Sequence, residues 1–227
     1  MEIKSSRVGV IFDMDGVLVD SAAAHFRSWQ ILAKEMGTTV TREQFAHSFG
    51  RHNRDIVPMF FGPMPEARLV ELSRRKEEIF RELVRHRPPI MAGATELIHG
   101  LAKLGVRMAV ASSGPRANID LILSAMNVAV LLPVIVGAED VTRGKPDPEV
   151  FATAAARLDL PPRRCVVIED APAGVQAARA AGAWVVALLT THPVEAFERD
   201  PGNSVPHRVV PRLADLSAKE LIELLGN

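Results

Sequence analysis

Residues 8–17, Val8-Gly9-Val10-Ile11-Phe12-Asp13-Met14-Asp15-Gly16-Val17, run from an apolar stretch straight into two carboxylates and a glycine. The apolar part has the length of a strand buried on both faces, and the carboxylates stand where that strand should end. Side chains alternate along an extended chain, so Asp13 and Asp15 project to the same side and can act on one substrate group. Gly16 lets the backbone turn sharply and keeps bulk away from whatever binds there. Two carboxylates this close repel each other unless a cation or a shared proton lies between them, which implies a metal or a coupled acid/base pair. Taken alone, such a pair more often marks only a turn with an Asp cap. The rest of the chain decides between these readings.

Working outward, strand-length apolar runs recur at Arg107 to Ala111, Leu132 to Val136, Cys165 to Ile168 and Trp184 to Leu188, with helical segments between them. This predicts an α/β fold whose parallel sheet is covered on both faces. One run ends in Ser112-Ser113-Gly114 and another in Glu169-Asp170. Ligands of open α/β sheets bind beyond the carboxyl ends of the strands, so these groups should converge with Asp13 and Asp15. Between Asp20 and about Pro88 the strand signal gives way to helical periodicity. Ser21 can cap a helix carrying Ala22, Phe26, Trp29, Ala33 and Met36, which Gly37 ends. A second helix over about 65–87 carries Leu69, Leu72, Ile79, Phe80, Leu83 and Val84, with Trp29 and Phe80 expected in the core of the insertion. The expected organisation is a discontinuous core domain, 1–20 and 89–227, and an inserted helical domain, 21–88. Its two crossings, near 20–24 and 87–93, form a hinge pair suited to a lid. A terminal amphipathic helix is expected over 215–225.

Lys+Arg and Asp+Glu both total 27, so the net charge is zero and there is no basic footprint for nucleic acid. A small-molecule partner is expected. The one cysteine, Cys165, cannot form an internal disulfide, and the opening MEIKSSR with its short apolar run is too short for a signal-peptide core, which points to a reducing cytoplasm. No stretch approaches the roughly 20 apolar residues that span a bilayer, so no membrane partner is expected. A monomer or a homodimer is anticipated.

Gly144-Lys145-Pro146-Asp147-Pro148 is a rigid turn that holds Lys145 in place, although a lysine before proline is by itself usually surface charge. In chain order, Asp13-Met14-Asp15-Gly16, Ser112, Lys145 and Glu169-Asp170 resemble the haloacid dehalogenase (HAD) superfamily, and IFDMDGVLVDS, GKPDPEVF and VIEDAPAGVQAARAAG resemble its β-phosphoglucomutase-like phosphatase branch. The resemblance spans essentially the whole chain. It implies a Rossmann-like core with a small helical cap domain inserted after the first strand. It also implies Asp13 as nucleophile, Asp15 as general acid/base, and Mg²⁺ on Asp13, the Asp15 backbone carbonyl and Asp170. Glu169 is then a ligand or a partner just behind one, Ser112 binds a phosphoryl oxygen and Lys145 neutralises charge. To carry a proton near neutrality Asp15 needs a raised pKa, which desolvation by the cap should help supply.

In the cap, Lys76 falls on an apolar stripe, where a charge either snorkels or faces a polar cleft. His25 lies on the buried side of its helix, more usually the place of a satisfied core histidine. The resemblance puts both near the substrate. Gly50-Arg51-His52-Asn53-Arg54 reads as a specificity loop or a solvated connection, with Gly50, Arg51 and Asn53 as candidate contacts; Ser113, Gly114 and Arg116 are candidates on the core side. Three departures separate this chain from the mutase of that branch. Asn53 stands where an arginine grips a second phosphate, Lys76-Glu77 replaces Lys-Asn, and Ser112-Ser113-Gly114-Pro115-Arg116 replaces Ser-x-Ser-Lys. The expected function is a Mg²⁺-dependent phosphomonoesterase acting on a small sugar or polyol phosphate. A phosphate-transferring isomerase and a non-catalytic regulator on the same fold are the alternatives.

Overall fold

The computed structural model describes residues 7–48, 51–198 and 205–225. Gly50, and the amino-terminal residues 1–6 read above for a leader, lie outside them. In chain order the elements are β1 (Gly9–Phe12), α1 (Ala22–Glu35), α2 (Arg42–Ser48), α3 (Asn53–Phe61), α4 (Glu66–Val84), α5 (Ala94–Lys103), β2 (Arg107–Ala111), α6 (Arg116–Ala125), β3 (Val134–Val136), α7 (Glu149–Arg157), β4 (Cys165–Glu169), α8 (Pro172–Ala180), β5 (Trp184–Leu188), α9 (Glu195–Glu198), β6 (Arg208–Val210) and α10 (Ala218–Glu223). The strands form one parallel sheet in the order β3-β2-β1-β4-β5-β6.

Period-two alternation builds the core on both faces of that sheet. Val10, Phe12, Met108, Val110, Val166 and Ile168 pack into one cluster, while Ile11, Ala109, Ala111, Cys165 and Val167 pack into the other. Phe12 stands level with Val110 on one side and Ile168 on the other. The residues that follow these three neighbouring strands therefore leave the middle of the sheet at one height.

The cap domain is α1 to α4, inserted after β1. Trp29, Leu32, Ala33, Ile56, Val57, Leu69, Leu72 and Ile79 form its own apolar cluster. The two crossings lie side by side: the Asp20 N–H donates to Pro89 O at 2.8 Å and the Met91 N–H to Leu18 O at 2.9 Å.

Several expectations are corrected. Ser21 makes no side-chain cap of α1; its hydroxyl is taken by Asp15. Phe80 and Val84 pack with the core domain's cluster, because the end of α4 crosses onto the sheet domain. Leu83 is exposed. The terminal helix is confined to Ala218–Glu223, after a 3-10 turn at Leu213–Asp215. Strand β6 was not expected from sequence; an edge strand of three residues that begins with Arg208 has no apolar run to betray it.

Candidate active site

Asp13 leaves β1 with its N–H donating to Ile168 O at 3.0 Å, and Ser112 leaves β2 with its N–H donating to Val136 O at 3.0 Å. Both continue the sheet's ladder for one residue, so their side chains are held by backbone geometry. The turn before α7 carries Lys145 across to them. Its ammonium donates to Asp13 Oδ1 and to Glu169 Oε1, each at 2.6 Å. The other Glu169 oxygen, Oε2, accepts the N–H groups of Asp170 at 2.7 Å and Ala171 at 2.6 Å.

Two glycines make room for this arrangement. Gly16 has φ +78°, and a Cβ there would stand 1.9 Å from Asp170 Oδ2; a Cβ on Gly174 would stand 1.7 Å from Glu169 Oε1. Gly174→Ala should therefore destabilise the fold by about 1–3 kcal/mol, the usual range for forcing atoms into a packed interior. Urea unfolding of the variant measures this, and an unchanged midpoint would show that Glu169 is free to move.

Asp13, Glu169 and Asp170 are all buried, with carboxylate oxygens within 4.8 Å of one another. One ammonium cannot balance three carboxylates, and burial with crowded like charge shows in Asp13 and Asp170. Burial first, then Glu169 and Asp15, raise Asp13 to about 7 against the pull of Lys145. Burial, then Glu169 and Asp13, push Asp170 well above the ordinary carboxylate range. Burial disfavours charge on Lys145, but Asp13 and Glu169 outweigh it and hold the ammonium protonated. Among the described residues Asp170 Oδ2 is buried without a hydrogen-bond partner. A divalent cation suits this donor set: hard carboxylate oxygens, surplus negative charge and an unsatisfied oxygen among them. Glu169 has both oxygens engaged, so Asp13 and Asp170 are the carboxylates available to one.

This predicts a pH effect on stability. A carboxyl with a raised folded pKa stabilises the fold fully below its unfolded value of 3.8, and loses that stabilisation as pH rises through about 7. The melting temperature of metal-stripped protein should fall from pH 6 to pH 8, and added Mg²⁺ should flatten the dependence. Calorimetry at the two pH values checks it; a rise with pH would contradict the assignment.

Asp15 has a different environment. Its Oδ1 accepts from Ser21 Oγ at 2.5 Å and from His25 Nε2 at 3.0 Å, and His25 Nδ1 accepts from Lys76 Nζ at 2.7 Å. An ammonium can only donate, so the ring hydrogen sits on Nε2, facing Asp15. His25 is stacked on Phe80 with centroids 3.9 Å apart. Burial alone would raise Asp15, but His25, Ser21 and Lys76 bring it down to about 2. The expectation of a raised pKa is thus corrected: the cap brings hydrogen-bond donors as well as desolvation, and the donors win.

Lys76 is buried between Trp29 and Phe80, its ammonium 5.3 and 5.5 Å from their ring centroids, and donates to Glu77 Oε1 at 2.8 Å. It faces a polar cleft and does not snorkel. Asn53 Nδ2 donates to the same Glu77 oxygen at 2.7 Å. Glu77, one of the three departures from the mutase, is neutralised by these partners, and Lys76 and Asn53 hold it ionised against the effect of burial.

Between cap and core lies a cavity of about 60 Å³, lined by Asp13, Asp15, His25, Arg51, Asn53, Lys76, Ser112, Ser113, Gly114, Lys145, Glu169 and Asp170, among others. That is room for roughly four or five water-sized groups. Arg116 is not among the lining residues: it opens α6 and turns outward to Asp120 at 2.8 Å. Trp29, Phe45, Ser48 and Ile56 add a wall that sequence reasoning did not assign to the site. Apolar residues on a helix stripe give no sign of whether they meet a neighbouring helix or a cavity.

The sequence pattern of the haloacid dehalogenase-like hydrolases matches residues 10–188. The chain belongs to this family. Its relatives place it in the β-phosphoglucomutase-like branch. It is 34% identical over 192 residues to validoxylamine A 7'-phosphate phosphatase of Streptomyces hygroscopicus subsp. limoneus, covering 82% of this chain and 88% of that one. It is 31% identical over 193 residues to β-phosphoglucomutase of Bacillus subtilis, covering 82% and 84%. The crystal structure of a family IA HAD hydrolase from Entamoeba histolytica superimposes with a TM-score of 0.86 over 97% of this chain and 100% of that one, at 21% identity, a likeness of fold. This protein is a HAD-family enzyme, and among its described residues no helix is long and apolar enough to cross a membrane.

Proposed function

We propose that the protein is a Mg²⁺-dependent phosphatase that releases phosphate from a small sugar or polyol phosphate through a phosphoryl group carried on Asp13. One observation carries this reading: Asp13, Glu169 and Asp170 are buried together at the carboxyl edge of the sheet, and among the described residues Lys145 is the one cation paired with them. Such a site is poised for a polyanion together with a cation.

An Asp13 oxygen attacks phosphorus, and the bond from phosphorus to the substrate oxygen breaks as Asp15 supplies that oxygen with a proton. Water then attacks the aspartyl phosphate and gives a proton to Asp15, releasing phosphate and restoring Asp13. Bound Mg²⁺, held by Asp13, Asp170 and the Asp15 backbone carbonyl, supplies positive charge that offsets the repulsion between carboxylate and phosphate. Ser112 Oγ accepts the Gly114 N–H at 3.0 Å, which leaves its own hydrogen for a phosphoryl oxygen. Lys145 neutralises charge shared between Asp13 and the transferring group. With its carboxyl near 2, Asp15 is ionised before substrate binds. To act as the acid of the first step it takes up a proton, which the negative charge of a phosphate ester bound beside it favours.

The β-phosphoglucomutase relative favours a second reading, in which a substrate hydroxyl instead of water takes the phosphoryl group. Asn53 speaks against it, because its amide is given to Glu77 instead of to a second phosphate. Incubating the protein with Mg²⁺ and a panel of phosphate esters that includes β-glucose 1-phosphate distinguishes the two. Free phosphate from several esters is expected; glucose 6-phosphate without free phosphate would establish the mutase.

A further inference from the structure

Asn118 belongs to α6 of the core, is buried, and has both ends of its amide engaged by the cap. Its Nδ2 donates to Glu77 Oε2 at 2.5 Å, and its Oδ1 accepts from Arg81 Nη1 at 2.8 Å. Glu77 and Arg81 are four residues apart on α4 and so share one face. One core side chain thereby grips two successive turns of a cap helix. An amide suits this place, since one end satisfies a carboxylate and the other a guanidinium.

Glu77 forms the next link, because its other oxygen accepts from Lys76 at 2.8 Å. Lys76 donates to His25 at 2.7 Å, and His25 reaches Asp15 at 3.0 Å. A continuous run of polar contacts, buried until it reaches Asp15, therefore starts on the core at Asn118, passes through the cap and returns to the core. A buried lysine depends on such partners, since its long stem has many conformations and its charge is costly without them.

We propose that Asn118 is a positioning residue. Through Glu77 it fixes Lys76 and His25 against Asp15, so that Asp15 has its full set of donors only while the cap is seated on the core. The inference rests on the reading of Asp15 as the proton-handling group of phosphoryl transfer.

The test uses Asn118→Ala, Glu77→Gln, their double variant, and Arg81→Met, which leaves Glu77 intact. Turnover is measured on an ester that the wild type hydrolyses. Cap seating is followed by the distance between spin labels on Val70→Cys and Val130→Cys, both exposed, with Cys165 buried and unlabelled. Asn118→Ala should lower kcat about ten- to a hundredfold, as small misplacements remote from the chemistry do, with KM changed less than about threefold. The double variant should be no worse than the worse single one, and the distance distribution should broaden. Wild-type kcat in Asn118→Ala, multiplicative losses, or an unchanged distance would overturn the proposal. If Asn118→Ala does not fold, Arg81→Met decides by the same distance. Absence of turnover in the wild type would instead overturn the phosphatase reading, while the distance still decides the clasp.

Discussion

Asp13→Asn will lower turnover by about four orders of magnitude or more, the scale of losing a nucleophile. The amide nitrogen cannot attack phosphorus, and the neighbouring carboxylates have other work: Glu169 is tied to Lys145 and two backbone N–H groups, Asp15 to Ser21 and His25, and Asp170 is the carboxylate left to hold the cation. The fold should survive, because Lys145 keeps Glu169 and the substitution removes a charge from an overcrowded acidic pocket. The melting temperature of the metal-stripped variant should accordingly equal or exceed that of the wild type at pH 8. Phosphate release and calorimetry check both halves; retained Mg²⁺-dependent turnover would remove Asp13 from the mechanism.

Asp15→Asn separates the two halves of the reaction. Turnover of an alkyl phosphate should fall by about 10²–10⁴, the usual worth of a positioned acid/base. A p-nitrophenyl ester has a leaving group that departs without a proton, so attack by Asp13 should persist while hydrolysis of the phosphoryl enzyme slows. The expected result is a burst of p-nitrophenol stoichiometric with enzyme. Equal loss on both esters with no burst would mean that Asp15 serves the attack itself, or binding.

The places of Asp13, Ser112, Glu169 and Asp170 were legible in the chain because each ends or follows a strand, and Lys145 because prolines stiffen its turn. The α/β class, the parallel sheet and the helical insertion followed from the period of apolar residues alone, since periods of two and of three to four pack different surfaces. The same logic marked Lys76 as a misplaced charge on an apolar stripe. Asn118, four residues before Ile122 on a buried stripe of α6, carried the same mark and went unread.

Tertiary structure alone decided the partners. That Ser21 serves Asp15 instead of α1, that Glu77 is neutralised, that Arg116 turns away and that Phe80 supports His25 from the core's cluster all depend on how the cap is set against the sheet. The physical reason is one of range. A strand end is placed by its own backbone ladder, whose register follows from local pattern. A helix side chain meets another domain only after two rigid bodies dock, and neither spacing nor periodicity encodes that orientation.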